Sequence, residues 1–396
     1  MTKTSRRVLL KAMGAAAVGT PTLAQTTTLP FENGERPLVV YPQKRALLRL
    51  TSRPPQLETP FAVYDEAAVT PNDAFFVRYH LGGAPPVVDP ETFRLSVTGS
   101  VDRSVTLSLG DLKAMPQIQM TAVNQCSGNG RGFFTPRVGG GQAGNGLMGN
   151  AVWGGVPLKS VLAQAGVRPS AVQVSFNGID KPLLPATPDF VKALDLPHAM
   201  DGEVMLAWSM NGRDLPVLNG YPLRLIVPGW YGTYWVKHLN EIVVLDQPLD
   251  NFWMTSAYRI PDNDCACVDA GAQPAKTRPI SRLNVRSFIT NLSAGAQVST
   301  RHATPLRGVA FDGGSGIAKV QVSIDGGQAW TDARLGADQG RYAFRPWTAS
   351  ARLSPGLHVL MARAVSKTGE VQPMVQRWNP SGYMRNVVEA VPVRAV

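Results

Sequence analysis

Thr121-Ala122-Val123-Asn124-Gln125-Cys126-Ser127-Gly128-Asn129-Gly130-Arg131-Gly132-Phe133 is the stretch on which the reading of this chain turns. An apolar strand runs into Cys126 and then into a loop with glycine at every second position. Glycine lets backbone N–H groups come close to a ligand, and a nearby guanidinium such as that of Arg131 favours the thiolate of Cys126. On these residues alone a buried structural cysteine remains the alternative.

On the N-terminal side lies a dense polar-aromatic cluster, Asn72-Asp73-Ala74-Phe75-Phe76-Val77-Arg78-Tyr79-His80. Before it, residues 25 to about 60 are rich in Pro, Arg and Leu without clear periodicity, which predicts an extended arm lying on the body of the protein. The first residues have the parts of an export signal: basic Lys3, Arg6, Arg7 and Lys11, apolar Ala12 to Val18, then small residues to Leu23-Ala24-Gln25. The apolar part is too short to span a bilayer, so it predicts a cleaved segment and a chain that does not span the membrane. Ser5-Arg6-Arg7-Val8-Leu9-Leu10-Lys11 resembles a twin-arginine signal, which exports proteins already folded around a cofactor. An ordinary secretory signal is the alternative, since Leu9 stands where Phe is commoner. The expected location is the periplasm.

On the C-terminal side, Phe93, Leu95 and Val97 alternate, as do Val105 and Leu107, and Val172, Val174 and Phe176, each set predicting a strand with one buried face. Pro157, with Leu158, Val161 and Leu162 on one stripe and Gly166 as a stop, predicts a short helix. Asp189 to Leu194 reads as a second one. Leu223 to Val227 reads as another strand. From Asn284 onward only short alternating runs occur: 285–289, 306–310, 320–324, 342–344 and 358–364. Regular spacing with turn residues between them predicts a β-sandwich.

At 396 residues, 44% hydrophobic and 17% charged, with 38 Gly and 32 Pro, the chain is globular, turn-rich and long enough for two or three cores. Its formal charge is +11; the four basic residues of the presumed signal leave about +7 on the mature chain. An exported protein without a long Lys/Arg run is a poor nucleic-acid binder, and an anionic substrate or acidic partner suits the charge better. The cysteines are Cys126, Cys265 and Cys267. That is no disulfide framework, and Cys265-Ala266-Cys267 is too close in sequence to be expected to bridge comfortably; we read the pair as structural. No Cys-x-x-Cys-His occurs, so no covalently attached c-type haem is expected in this chain.

Segment 121–133 resembles the cysteine loop of the sulfite oxidase family of molybdenum enzymes, nearest to its bacterial periplasmic sulfite dehydrogenases. There Asn-x-Cys-Ser/Ala-Gly-Asn-x-Arg places a thiolate on molybdenum bound to a single pyranopterin dithiolene. The resemblance implies Cys126 as the metal ligand, with Asn124 and Ser127 at the cofactor. A soft thiolate suits a metal already ligated by sulfur.

Phe75 to His80 resembles the family's Phe-x-Arg-x-His segment, implying Arg78 in the oxyanion pocket and His80 on the cofactor; a core or surface histidine is the plain alternative. Asn211-Gly212 to Arg224 implies that Arg224 grips the cofactor, its fork matching phosphate oxygens. Asn219 would lie nearby, where many relatives have His. Pro228-Gly229-Trp230-Tyr231-Gly232-Thr233-Tyr234-Trp235-Val236-Lys237 implies Gly232 and Lys237 as cofactor contacts, the alternative being an aromatic core strand ending in a solvated lysine. Phe252 to Arg259 supplies Tyr258 for the substrate pocket. Asp180 matches an acidic cofactor contact or is a turn aspartate. Gln376 to Asn386 resembles the closing motif and implies Arg385 as a third substrate-facing arginine beside Arg78 and Arg131, with Arg377 its competitor.

The resemblance thus implies a mixed α+β molybdopterin-binding domain of sulfite-oxidase type followed by an immunoglobulin-like β-sandwich dimerisation domain. The expected organisation is a signal at 1–24, an arm and the start of the cofactor site at 25–84, the molybdenum-pterin domain at 85–275 and the sandwich at 276–396. The implied function is oxidation of sulfite to sulfate by oxygen atom transfer. Electrons would pass to a c-type cytochrome, from a homodimer or a heteromeric complex with a cytochrome subunit. A sulfane-sulfur dehydrogenase of a thiosulfate-oxidising complex and a sulfoxide reductase share the cysteine loop and are the alternatives within the fold. A non-enzymatic exported binding protein would explain the sandwich but not Cys126 with Arg131.

Overall fold

Apolar alternation of period two outweighs helical periodicity along most of the chain, and the computed structural model of the protein, which describes residues 25–396, is correspondingly β-rich. Its longest helix is Leu158–Ala165. The expected mixed α+β domain is therefore mostly β with a few short helices. The signal expected at 1–24 lies outside the described residues. Among the described residues no helix is long and apolar enough to cross a membrane.

The strand Ile118–Gln125 pairs antiparallel along its whole length with Met148–Pro157, setting Asn124 opposite Gly149 and Gln125 opposite Met148. Met205–Met210 continues this sheet and also pairs with Arg224–Ile226. A second sheet runs in the order Lys192–Asp195, Gln173–Gly178, Leu239–Leu245, Arg94–Gly99 and Val105–Ser108, with its only parallel pair at Leu239–Leu245 and Arg94–Gly99. The two sheets share one apolar core, in which Trp153, Phe75, Phe176 and Trp235 are buried.

Two local expectations are corrected. The presumed arm is a meander, Thr26–Thr28, Glu35–Val39, Leu47–Thr51 and Gln56–Glu58, closing on Val77–Arg78. Leu47, Leu57, Val77 and Tyr79 form a small core beneath it, which the irregular Pro/Arg content hid. The helix expected at 189–194 is instead the edge strand Lys192–Asp195, and a helix begins only at Leu196, where Pro197 sits in the first turn. The helix after Pro157 forms as expected and stops at Gly166, whose φ of +71° suits glycine.

The C-terminal unit has one sheet ordered Arg286–Ile289, Thr304–Phe311, Arg345–Ala351, Arg334–Leu335. The other is ordered Ala296–Val298, Ala390–Ala395, Gly356–Ser366, Ile317–Ser323, Thr331–Asp332. Both enclose a core around Trp347 and Leu360. Residues 342–344 do not form a strand: Phe344 instead enters the main core with Phe288 and Phe311. Tyr64 meets Phe344 and Phe61 meets Phe288 edge to face, so the two units are joined by apolar packing. Cys265 and Cys267 are bonded to each other, against the expectation, because Ala266 adopts φ +51° and turns the chain so that the flanking Cα atoms lie 5.1 Å apart.

Candidate active site

The Cys126 loop is pinned by its own backbone. Cys126 N–H donates to Leu147 O (2.9 Å), Asn129 N–H to Cys126 O (3.0 Å) and Met384 N–H to Ser127 O (2.9 Å), while the Asn129 side chain accepts from Leu147 N–H (2.9 Å). These bonds hold the free thiol of Cys126, half-buried, between an inner and an outer cavity. Cys126, Arg78, His80 and Tyr258 line both.

His80, Asn124, Cys126, Ser127, Asp180, Asn219, Arg224, Gly232 and Lys237, the residues expected at the cofactor, all line the inner cavity. Buried polar groups are ordinarily hydrogen-bonded, yet both side-chain polar atoms of Asn124, Ser127 Oγ, Thr233 Oγ1 and Arg224 Nε have no partner here. Orphaned donors and acceptors converging on one concavity are what a polar ligand would satisfy. Gly232 is part of the same fit, since a Cβ there would come within 2.3 Å of Asn124 Oδ1. The residues present therefore suit a polar, anionic group such as a pterin phosphate, and the thiol of Cys126 lines the same cavity.

The inner wall is strongly cationic. Arg224 lies between Trp153 and Trp235 at 5.3 and 5.8 Å and donates to Asn219 O (3.0 Å); burial lowers its pKa to about 9. Lys237 Nζ sits 2.8 Å above the Tyr79 ring and donates to Leu218 O. Burial, then the Arg224 charge, holds its pKa well below the usual lysine range, while Asp180 opposes the shift. Burial raises the Asp180 carboxyl against the pull of Lys237. An anion bound here would reverse much of this cost, because each cation lacks a full counter-charge.

Tyr258 reaches the junction from a backbone at φ +56°, unusual for a residue with a side chain, and its hydroxyl hydrogen-bonds His80 Nε2. His80 stacks on Phe190 (3.7 Å) and meets Trp253 edge to face. Burial, then Arg78, Lys237 and Lys192, holds its pKa well below the usual histidine range, so it is neutral. Burial likewise raises the Tyr258 phenol. The pair shares one hydrogen bond whose direction either tautomer of His80 permits.

Arg78 and Arg131 face the outer cavity with Tyr258, Tyr383 and Trp253. Arg385 does not line it. Both its terminal nitrogens bond Glu389, and its guanidinium lies 4.9 Å from the Phe133 ring. The expectation of a third substrate-facing arginine is thus not met by Arg385; Ser381 and Tyr383 form the wall there. Arg377, its competitor, lines neither cavity.

Three functional neighbours escaped the sequence. Lys44 is buried and donates to Asn72 O (2.6 Å), Phe75 O (2.9 Å) and Asn219 Oδ1, while Asn219 Nδ2 donates to Phe76 O (3.0 Å). His238 Nε2 meets the Tyr79 hydroxyl (2.8 Å) and its Nδ1 the Tyr221 carbonyl (2.6 Å), which fixes the ring stacked with Tyr79, the ring under Lys237. Thr233 stood inside the quoted 228–237 segment, where a hydroxyl beside Gly232 was the available signal.

Residues 82–253 match the oxidoreductase molybdopterin binding domain family, and residues 277–395 the Mo-co oxidoreductase dimerisation domain family. The mitochondrial sulfite oxidase of Drosophila melanogaster is 35% identical over 379 residues, covering 90% of this chain and 64% of that protein. The sulfite oxidase of Gallus gallus is 32% identical over 371 residues, covering 89% of this chain and 79% of its own length. The chain spans 64% of the fly protein and 67% of its rat counterpart. Among solved structures, the sulfane dehydrogenase SoxCD from Paracoccus pantotrophus superposes with a TM-score of 0.74 at 26% identity, over 97% of this chain and 92% of that one.

Proposed function

Because the chain belongs to the sulfite oxidase family of molybdenum enzymes, we propose that it is a sulfite dehydrogenase, converting sulfite and water to sulfate, two protons and two electrons. The observation that carries this reading is the junction of the two cavities, where Cys126, Arg78, His80 and Tyr258 meet between an orphan-lined polar cradle and a mouth bearing two arginines. Asn124, Ser127, Thr233, Arg224 and Lys237 would hold the pterin and its phosphate, and Cys126 would be the protein's thiolate ligand. When bound, the molybdenum-pterin group supplies a two-electron centre capable of oxygen atom transfer.

The chain's own residues do the rest. Arg78 and Arg131 hold the oxyanion by preorganised charge in a mouth walled by the aromatic rings of Trp253 and Tyr383. Tyr258 donates to substrate oxygen when His80 Nε2 carries the proton, so the pair places or accepts a proton at the Tyr258 oxygen.

The electrons would go to a c-type cytochrome, either free or as a subunit of the complex. We read the C-terminal unit as an immunoglobulin-like module through which two copies pair. Residues 1–24 would carry the folded protein to the periplasm by the twin-arginine route. A second reading, oxidation of a sulfane sulfur carried by a partner, is favoured by one observation: with Arg385 committed to Glu389, the mouth offers less counter-charge than a dianion calls for. The likeness to SoxCD supports the same alternative. Sulfite-dependent reduction of ferricytochrome c by protein with measured molybdenum content tests the choice. Saturable turnover supports sulfite; inert, fully loaded protein moves the assignment to the sulfane substrate.

A further inference from the structure

Arg131 has no carboxylate within ion-pair reach among the described residues, yet its side chain is tightly placed. Its Nε donates to Ser381 O (3.0 Å), and its guanidinium carbon lies 5.0 Å from the centre of the Tyr383 ring. Glycine is needed where the arginine passes. A Cβ on Gly128 would stand 2.8 Å from the guanidinium carbon, and one on Gly382, at φ +59°, 2.9 Å from Arg131 Cγ. The turn that carries Ser381 and Tyr383 is itself rigid. Buried Asn379 donates to Tyr383 O (2.9 Å) and accepts from Tyr383 N–H (3.1 Å), and the next residue, Met384, is bonded to the Cys126 loop. The Tyr383 ring also stacks on Tyr258 at 5.3 Å and 18°. One aromatic ring thus touches both the cation that would grip the oxyanion and the phenol that would donate to it.

From this arrangement we propose that Tyr383 is a positioning residue that sets oxyanion affinity: its ring keeps the Arg131 guanidinium facing the outer cavity, in the place where a third arginine was expected. The ring face, rather than the hydroxyl, carries the effect, because a cation over an aromatic face is held by the quadrupole of the ring. The raised pKa of the Tyr383 phenol, caused first by burial and then modulated by Arg131, Cys126 and Arg78, agrees with its closeness to those groups. The proposal rests on the reading of the outer cavity as an oxyanion site, though not on sulfite turnover.

The test compares molybdenum-loaded wild type, Tyr383→Leu and Tyr383→Phe, measuring sulfate binding by titration calorimetry alongside steady-state kinetics with sulfite. Leu keeps bulk without a π-face and should weaken sulfate binding and raise KM by roughly tenfold, within the range of a desolvated cation–π contact, while kcat changes less. Tyr383→Phe should restore most of the lost affinity. Unchanged sulfate affinity in Tyr383→Leu, or Phe as weak as Leu, overturns the proposal, as does a wild type that binds no sulfate. Wild type that binds sulfate but leaves sulfite unoxidised sinks the sulfite reading instead, and the binding series still decides the role of Tyr383.

Discussion

Arg78 and Lys44 do opposite kinds of work at the same wall. Arg78 lines both cavities, so its charge would be felt by a cofactor in the inner one and an oxyanion in the outer one alike. Arg78→Gln should raise KM for sulfite by roughly tenfold or more with a smaller fall in kcat, since a lost charged hydrogen bond is worth about 1.5–3 kcal/mol. An unchanged KM in loaded protein would remove Arg78 from substrate binding. Lys44 lines neither the inner nor the outer cavity but organises Asn219, whose backbone carbonyl receives Arg224. Lys44→Met leaves three acceptors, two of them buried, without this donor and should cost about 2–4 kcal/mol of stability, read from urea midpoints, and lower molybdenum content. Burial holds Lys44 near a pKa of about 7, so its share of stability is full above 10.5 and is lost as pH falls through 7. The variant should flatten that limb; if the slope between pH 7 and 10 is unaltered, another group carries it. The sequence made Arg78 legible because its neighbours repeat a family segment. Lys44 was illegible because its acceptors lie at 72, 75 and 219, distances along the chain that no local pattern encodes. Arg385 failed for a related reason: spacing places an arginine near the site without saying which face of the turn it leaves from.

At the scale of elements, the legible features were those whose period matched a one-sided burial, such as Arg94–Gly99 and Gln173–Gly178. The meander of 26–58 was not, because its strands are short and rest on a core of few residues. That meander nonetheless controls the mouth. Glu58 in its last strand accepts from Gly144 N–H (3.0 Å) and Gly146 N–H (2.8 Å), fastening the glycine-rich 139–147 loop that borders the outer cavity. Burial pushes the Glu58 carboxyl up to about 7 despite these two bonds. A raised carboxyl contributes stability in full below the ordinary value of 4.5 and loses it as pH rises through 7, the reverse of Lys44. The loss is on the order of 3 kcal/mol. Glu58→Gln should remove this decline, so that urea midpoints at pH 5 and pH 8 differ less than in wild type. Equal differences in both proteins would show that Glu58 does not titrate in that window.

Across the whole molecule, the Cys126 loop and the C-terminal unit meet over a largely buried ion cluster. Glu389, just before the final strand, receives Arg286 Nη2 (3.1 Å) and both terminal nitrogens of Arg385, and it accepts from Asn145 Nδ2 (3.1 Å) of the loop facing Cys126. Arg286 also reaches Asn145 Oδ1 (2.7 Å), and a Cβ on Gly130 would lie 3.2 Å from both Arg286 and Arg385. Two buried cations and one partly exposed anion, Glu389, are stable mainly together, since both guanidinium groups have lost most of their hydration. The second unit thereby braces the Cys126 loop from behind, and the candidate site rests on both units even though most of its lining comes from the first. Glu389→Gln strands two buried guanidinium groups and should cost about 3–5 kcal/mol. Because the cluster spans the contact, the loss should fall on the coupling: in calorimetry the wild type should unfold in a single transition and the variant in a broadened or divided one, with molybdenum lost in the earlier step. Replacing Arg385 by Met along with Glu389→Gln takes away one stranded charge and should recover part of the stability. Should the single variant melt as one transition at the wild-type temperature, the cluster is not what couples the units, and the aromatic contacts of Phe61 with Phe288 and of Tyr64 with Phe344 hold them instead.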